Sequence, residues 1–176
     1  MLRRNSVFTL LLIGLVLAIA VFNPLAAQDD DTRTANTAAV EQLTEEFLND
    51  GNPDVLEAIY ATDAIHHSPL GDLTVDARKM TRAALGMAIP NFHVEVVSLT
   101  ATEEWIAVLY TFTGTFTGEL PTPDGAMIPG NDAEIQLSIG SFFRFNEDGL
   151  IAESWETFDN LSLLTQMGMM PAPGGE

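Results

Sequence analysis

The chain has 176 residues, enough for one domain with a sizeable core, and its formal net charge is −18. Such a negative charge argues against binding to nucleic acid, whose phosphates would repel the protein, and against an anionic membrane surface. The chain has no cysteine, which excludes disulfides, thiol chemistry and cysteine-ligated metal sites.

The N-terminus has the pattern of a secretory signal. Two arginines precede an apolar run from Val7 to Phe22, and small residues follow as far as Ala27. We expect residues 1–27 to direct export to the periplasm or the cell exterior, with cleavage after Ala27. Leu25 is larger than the cleavage pattern prefers, so an uncleaved membrane anchor is the alternative.

The next part of the chain is polar and then helical. Residues 28–36 include three successive aspartates and are typical of a linker. Apolar residues at helical spacing predict a helix from about residue 37 to 49, a second helix starting at Asn52-Pro53, and a third over 75–88. Within the third helix, the basic residues 78, 79 and 82 are interpreted as a solvated face, and the methionines as core packing.

The second half of the chain is dominated by strands. Alternating β-branched and aromatic residues predict strands over 92–100, 105–117, 133–145 and 150–158, with a bend or bulge at Gly114. A loop of prolines and glycines (118–132), a closing helix near 161–167 and a loose tail (169–176) complete the chain. Helices followed by successive strands predict an α+β fold, with a curved antiparallel sheet wrapped on the N-terminal helices. A doubly wound parallel sheet is disfavoured, because strands and helices do not alternate.

The last predicted hairpin carries the most informative pattern. Its turn is Asn146-Glu147-Asp148-Gly149, and side chains alternate between faces along the strand that follows. One face therefore carries Glu153, Trp155, Thr157 and Asp159, and the other carries Ser154, Glu156 and Phe158. We interpret the first face, with its tryptophan and two carboxyl groups, as the wall of a small-molecule pocket. Arg144 and Glu153 are predicted to form an ion pair across the hairpin.

Four segments of the chain resemble the SnoaL-like polyketide cyclase family, also called ester cyclases, within the nuclear-transport-factor-2-like superfamily. The segments are Thr62–Pro69, with its aspartate and histidines before a proline; Ile89–Glu95, with Asn91 in place of the usual aspartate; Phe112–Glu119, with Thr-Gly-Thr-x-x-Gly; and Arg144–Gly168, the best match. The resemblance supports one domain over residues 37–168. It implies a cone-shaped α+β barrel with a pocket at its wide end, and it suggests a homodimer.

The resemblance also implies a chemistry. Characterised relatives close a ring by intramolecular aldol condensation without a cofactor or metal, and an aspartate serves as general acid and base. Asp159 is the residue that matches this position, and by the family pattern His67 faces the pocket as an orienting or polarising partner. Phe116 departs from the pattern, since many relatives have a histidine there. The long loop and the export signal are further departures, and they leave the substrate open.

Other interpretations of these residues remain open. Asp159 is also well placed to cap the closing helix. His66 and His67 are neighbours on an extended segment and point to opposite faces, so they cannot easily chelate one ion, and no metal-binding spacing occurs elsewhere. Further candidates for substrate contacts are His66, His93, Tyr60, Tyr110, Phe116, Trp155 and Glu153.

The sequence therefore predicts an exported, cofactor-free protein that binds a small, mostly apolar carbonyl compound. Its predicted reaction is an aldol-type cyclisation in which Asp159 and His67 take part. One alternative is a non-catalytic carrier of hydrophobic ligands on the same fold, because a fold does not determine a function. Another is an isomerase or hydratase that acts through the same carboxylate.

Overall fold

The computed structural model describes residues 24–122 and 125–170. The predicted export signal lies almost wholly outside these ranges, as does most of the predicted tail. Within them, none of the helices combines the length and the apolar character that crossing a membrane would require.

The helices lie before the sheet, beside it and at its end. Their bounds are α1, Pro24–Gln42, which runs on as a π-helical segment, Leu43–Asn49; α2, Val55–Ile59; α3, Val75–Ala88; and α4, Asn160–Gln166. Residues 28–36, interpreted as a linker, belong to α1, where the Thr34 and Thr37 hydroxyls donate to carbonyls one turn earlier. Helix α3 has the predicted bounds, and the Thr74 hydroxyl caps it by accepting from the Ala77 N–H at 3.3 Å.

The strands form a six-stranded sheet and a separate short hairpin. The six strands are β1, Tyr60–Ser68; β2, Gly71–Thr74; β3, His93–Ala101; β4, Trp105–Phe116; β7, Ala133–Phe145; and β8, Ile151–Thr157. Their order across the sheet is β2-β1-β8-β7-β4-β3. Strands β5, Glu119–Pro121, and β6, Met127–Pro129, pair with each other inside the predicted loop.

The predicted α+β class is confirmed, with two differences in the sheet. The curved sheet is open rather than closed into a barrel, and it is mixed, because β1 and β8 run parallel. The pairs β1–β2, β3–β4 and β7–β8 are each neighbours in sequence and are joined by hairpins, which makes them antiparallel. Strands β1 and β8 are far apart in sequence, so no turn sets their relative direction.

The two faces of the sheet have different surroundings. The inner face packs against the helices and carries the core, in which Phe47, Ile106, Phe112 and Phe143 are almost completely buried. The opposite face, here called the outer face, carries Trp105, Leu109, Phe142, Arg144, Glu153 and Trp155, as the register of β4, β7 and β8 requires.

Gly114 does not form the predicted bulge. It pairs with Ile135 within an uninterrupted β4–β7 ladder. A Cβ atom at this position would lie 2.3 Å from Cγ2 of Ile89, so the glycine permits the close approach of the segment after α3.

Two predictions about α3 are wrong. Arg78 is only 6% exposed and Arg82 is half-buried, whereas Met80 and Met87 are 67% and 55% exposed. The arginine stems are long and apolar, so they can cross the core side of the helix. Their guanidinium groups then meet aromatic rings, as Arg82 does 4.3 Å from the centroid of Phe92.

Candidate functional site

A cavity lies between the inner face of the sheet and the helices α3 and the π-helical segment. It has a volume of about 120 Å³ and is open to the solvent. Its walls are mostly apolar, with contributions from Leu85, Ile89, Phe92, Val94, Leu137 and Ile139. The cavity therefore suits a ligand with an apolar body.

Polar side chains collect at one end of this cavity because of the strand register. The parallel pairing of β1 with β8 sets His66 beside Ser154, and the antiparallel pairing of β7 with β8 sets Ser141 beside Glu156. His66 and Glu156 line the cavity, and Arg78 reaches it from α3.

These groups form a hydrogen-bonded chain that begins at Arg78. Arg78 has only donors, so its Nη1 donates to the Tyr60 hydroxyl. Tyr60 donates in turn to Ser154 Oγ at 3.4 Å, and Ser154 Oγ lies 2.9 Å from His66 Nδ1. With the Ser154 hydroxyl as the donor in this last bond, the ring proton of His66 is on Nε2, which lies 4.0 Å from Oε2 of Glu156.

Burial sets the protonation states at this end of the cavity. The pKa of His66 falls to about 3, mainly through burial and secondarily through the positive charge of Arg78. Burial raises the pKa of the Glu156 carboxyl, although Arg78 opposes the shift. Burial also raises the pKa of Tyr110 to about 12. His66 is therefore a neutral donor at physiological pH, beside a carboxyl group with strengthened affinity for its proton.

Three predicted site residues lie instead on the outer face. His67 Nε2 bonds to Oε1 of Glu153 at 2.9 Å, and its Nδ1 bonds to Oδ1 of Asp72 at 2.7 Å. These two carboxylates raise the pKa of His67. Its ring stacks on Trp155 at 5.2 Å between centroids, and Trp155 stacks on Trp105 at 5.4 Å. Consequently His66, and not His67, lines the cavity.

The predicted Arg144–Glu153 ion pair is confirmed. Arg144 Nη2 lies 2.8 Å from Oε2 of Glu153. Because Arg144 is on the outer face, the pair also places Glu153 there, and it holds the pKa of Glu153 below its ordinary value.

Asp159 lies at the edge of the domain rather than in the cavity. It is exposed, and its Oδ1 accepts the backbone N–H of Ser162 at 2.9 Å, so it caps α4. This is the arrangement that the capping interpretation predicts.

The remaining predicted residues are divided between core, cavity and surface. Tyr110 lines the cavity, Tyr60 lies behind it in the hydrogen-bonded chain, and Phe116 is buried in the core. His93 is exposed at the start of β3. In residues 24–122 and 125–170, no three histidine or acidic side chains are grouped as they would be to hold a metal ion.

Sequence reasoning missed Glu156, Ser154 and Arg78 as site residues. The alternation along β8 was predicted correctly, but the wrong face was assigned to the pocket. For Arg78 the sequence carries no clear signal, because two further basic residues lie within four positions of it.

Comparisons with known proteins agree on the family and the fold. A sequence model of the SnoaL-like polyketide cyclase family matches residues 38–167. A comparison with curated proteins finds no significant match.

Solved structures with similar folds share little sequence with this chain. A candidate SnoaL-like polyketide cyclase from Jannaschia sp. CCS1 has a TM-score of 0.68 at 19% identity, covering 80% of this chain and 96% of its own. AclR, a candidate hydroxylase from Streptomyces galilaeus, has a TM-score of 0.66 at 19% identity, covering 79% and 99%. IdmH, a candidate polyketide cyclase from Streptomyces antibioticus, has a TM-score of 0.62 at 20% identity, covering 76% and 98%.

Proposed function

Since the chain belongs to the SnoaL-like polyketide cyclase family, we propose that its cavity binds a small, mostly apolar carbonyl compound and catalyses proton transfer next to the carbonyl. An intramolecular aldol closure is the reaction of this type that the family relationship favours. The observation that supports the proposal is the pair formed by Glu156 and neutral His66 at the polar end of a mostly apolar cavity.

Glu156 is the proposed general base and acid. Its carboxylate takes a proton from the carbon beside the carbonyl, and the enolate carbon then attacks a second carbonyl of the same molecule. The new carbon–carbon bond leaves an alkoxide, which recovers the proton from Glu156. A raised pKa suits both steps, because a shuttle works best when its pKa approaches the working pH.

His66 is the proposed electrophilic partner. Its Nε2–H is free to donate to the carbonyl oxygen, which becomes the enolate oxygen after proton abstraction. A neutral imidazole can fill this role, because its N–H can donate a hydrogen bond to the enolate oxygen without the ring being charged. Tyr60 and Ser154 act as positioning residues, since they hold the Nδ1 atom as an acceptor.

The resemblance had implied Asp159 for the shuttle, and we propose Glu156 in its place. Both are carboxyl groups near the end of the sheet, but Glu156 lines the cavity whereas Asp159 caps a helix. The location of the cavity supports Glu156.

The proposal is tested by hydrogen–deuterium exchange in a bound ketone. Heptyl methyl ketone incubated with the protein in D₂O should exchange the protons beside its carbonyl at least tenfold faster than in buffer, because Glu156 supplies the base. Mass spectrometry of the recovered ketone measures the rate. Binding without exchange would favour the carrier alternative, and absence of binding would refute the proposal.

We also propose a homodimer formed through the outer face. Trp105, Leu109 and Phe142 are exposed together there, which is unusual for a monomer surface. Light scattering after size exclusion should give twice the chain mass, and Leu109→Lys should lower it towards one chain. Met80→Lys, which adds the same charge on the exposed side of α3, should leave the mass unchanged; equal effects of both variants would contradict this interface.

A further inference from the structure

Arg78 is a buried cation without an ionic partner in the described part of the chain. It is 6% exposed, and its guanidinium lies 5.5 Å and 5.2 Å from the ring centroids of Phe47 and Tyr60. No described carboxylate comes within 4.0 Å of it, as the ion pairs of residues 24–122 and 125–170 all involve other cations. Burial without a counter-ion is costly, and a guanidinium cannot escape the cost by losing its proton.

Most of the donors of Arg78 are also unused. In the described ranges, the only acceptor bonded to its guanidinium is the Tyr60 hydroxyl, which takes one of five N–H groups. Arg78 is among the residues that line the cavity. A ligand in the cavity can therefore meet both a positive charge and free donors at this position.

The other ionisable groups at this end do not neutralise Arg78. His66 is neutral at physiological pH, and the Glu156 carboxyl, the proposed base, lies more than 4.0 Å from the Arg78 guanidinium and forms no ion pair with it. The polar end of the cavity thus has room for one negative charge on the ligand. A carboxylate fits best, because its two oxygens match the planar fork of a guanidinium.

We propose that Arg78 binds a carboxylate of the ligand, so that the cavity accepts an apolar oxo-carboxylic acid rather than a neutral ketone alone. The inference rests on the proposed function and deepens it: the carbonyl lies at His66 and Glu156, and the carboxylate lies at Arg78. The negative surface of the protein repels anions in general. Arg82, the other arginine in the cavity wall, already donates to the Leu48 and Asn49 carbonyls, so selection for a carboxylate is assigned to the local contact with Arg78.

The test compares two probes of equal length, decanoate and decanamide, by calorimetric titration of the intact protein at neutral pH. Decanoate should bind at least tenfold more tightly, because hydrogen bonds to charged groups are the stronger ones. Arg78→Gln should remove this preference while changing decanamide affinity less than threefold. Arg78→Lys should retain part of the preference, since the charge remains and the planar fork is lost.

The matched control is Lys79→Gln, which removes the same charge from the neighbouring residue, whose ammonium pairs with Glu57 outside the cavity. It should leave the preference for decanoate intact. Equal affinity of the native protein for the two probes would overturn the inference even if Arg78→Gln failed to fold. If the protein accelerates exchange in heptyl methyl ketone but does not prefer decanoate to decanamide, only the inference about Arg78 is overturned. If it binds decanoate but neither binds the ketone nor accelerates its exchange, the proposed proton transfer is overturned.

Discussion

Glu156→Gln is expected to lower the rate of proton exchange in the bound ketone by about 10² to 10⁴, the usual contribution of a general base. Glutamine has nearly the same shape as glutamic acid and can keep its place in the cavity wall. It cannot take up and return a proton at neutral pH. Ketone affinity, measured by titration, should change little, so the loss should appear in the exchange rate.

The matched control is Asp159→Asn, which makes the same chemical change at the residue implied by the family resemblance. Asparagine caps a helix about as well as aspartate does, so both exchange and stability should stay close to those of the native protein. Loss of exchange in Asp159→Asn with retention in Glu156→Gln would refute the assignment of Glu156. It would assign the proton transfer to Asp159 instead.

Stability provides an independent check on the Glu156 variant. Burial raises the pKa of Glu156 in the folded state, so this group contributes its full stability below the ordinary value near 4.5. That contribution is lost as the pH rises through the raised value. Glu156→Gln should therefore match the native melting temperature in acid and exceed it at neutral pH. A variant that is inactive but more stable cannot owe its inactivity to unfolding.

Much of the fold was predictable from local patterns. Helix α3 and strand β7 have the predicted bounds, because the helical spacing of apolar residues and the alternation of β-branched residues along a strand are local signals. The π-helical segment and the parallel pairing of β1 with β8 were not predictable. The first lies within the helix predicted over 37–49, so only its π-helical form was missed, and the second depends on contacts between residues distant in sequence.

The candidate site was predicted less well, for one identifiable reason. Strand alternation separates the side chains into two sets but does not say which set faces the core. The Arg144–Glu153 ion pair contained the missing information. A half-exposed ion pair belongs on the outer face, and Trp155 shares the parity of Glu153, so Ser154 and Glu156 must face inwards. The resemblance to the family favoured the face of β8 that carries Trp155 and Asp159 as the pocket wall, and this outweighed the evidence from the ion pair.

Arg78 could not have been identified from its neighbours in sequence. A cluster of three basic residues on a helix is usually solvated, and of the three Lys79 keeps an ion pair with an exposed residue, Glu57. The burial of Arg78 depends on where α3 crosses the sheet and on the rings of Phe47 and Tyr60.

His66 is expected to make the protein sensitive to acid. Its pKa is about 3 in the folded protein and near 6.5 in an unfolded chain. Its contribution to stability is therefore complete above about pH 6.5 and is lost as the pH falls towards 3. Over that window the free energy of unfolding should decrease by about 1.4 kcal/mol for each pH unit because of this residue alone.

His66→Gln should remove this slope, because glutamine does not titrate and can still bond to Ser154. Urea unfolding at several pH values between 7 and 4 measures the free energy of unfolding of the native and variant proteins. The contribution of the many carboxyl groups cancels in the difference between the two free energies. His93→Gln, at an exposed histidine, should leave the native slope in place. If the free energy of unfolding had the same pH dependence in the native protein and in His66→Gln, the pKa of His66 would be the same in the folded and unfolded states. In that case burial would not be what keeps the imidazole neutral, against the role that the proposed reaction gives it. If the free energy of unfolding of the native protein fell more steeply with acid than that of His66→Gln, burial of His66 would be the cause. The same burial keeps the imidazole uncharged beside Glu156.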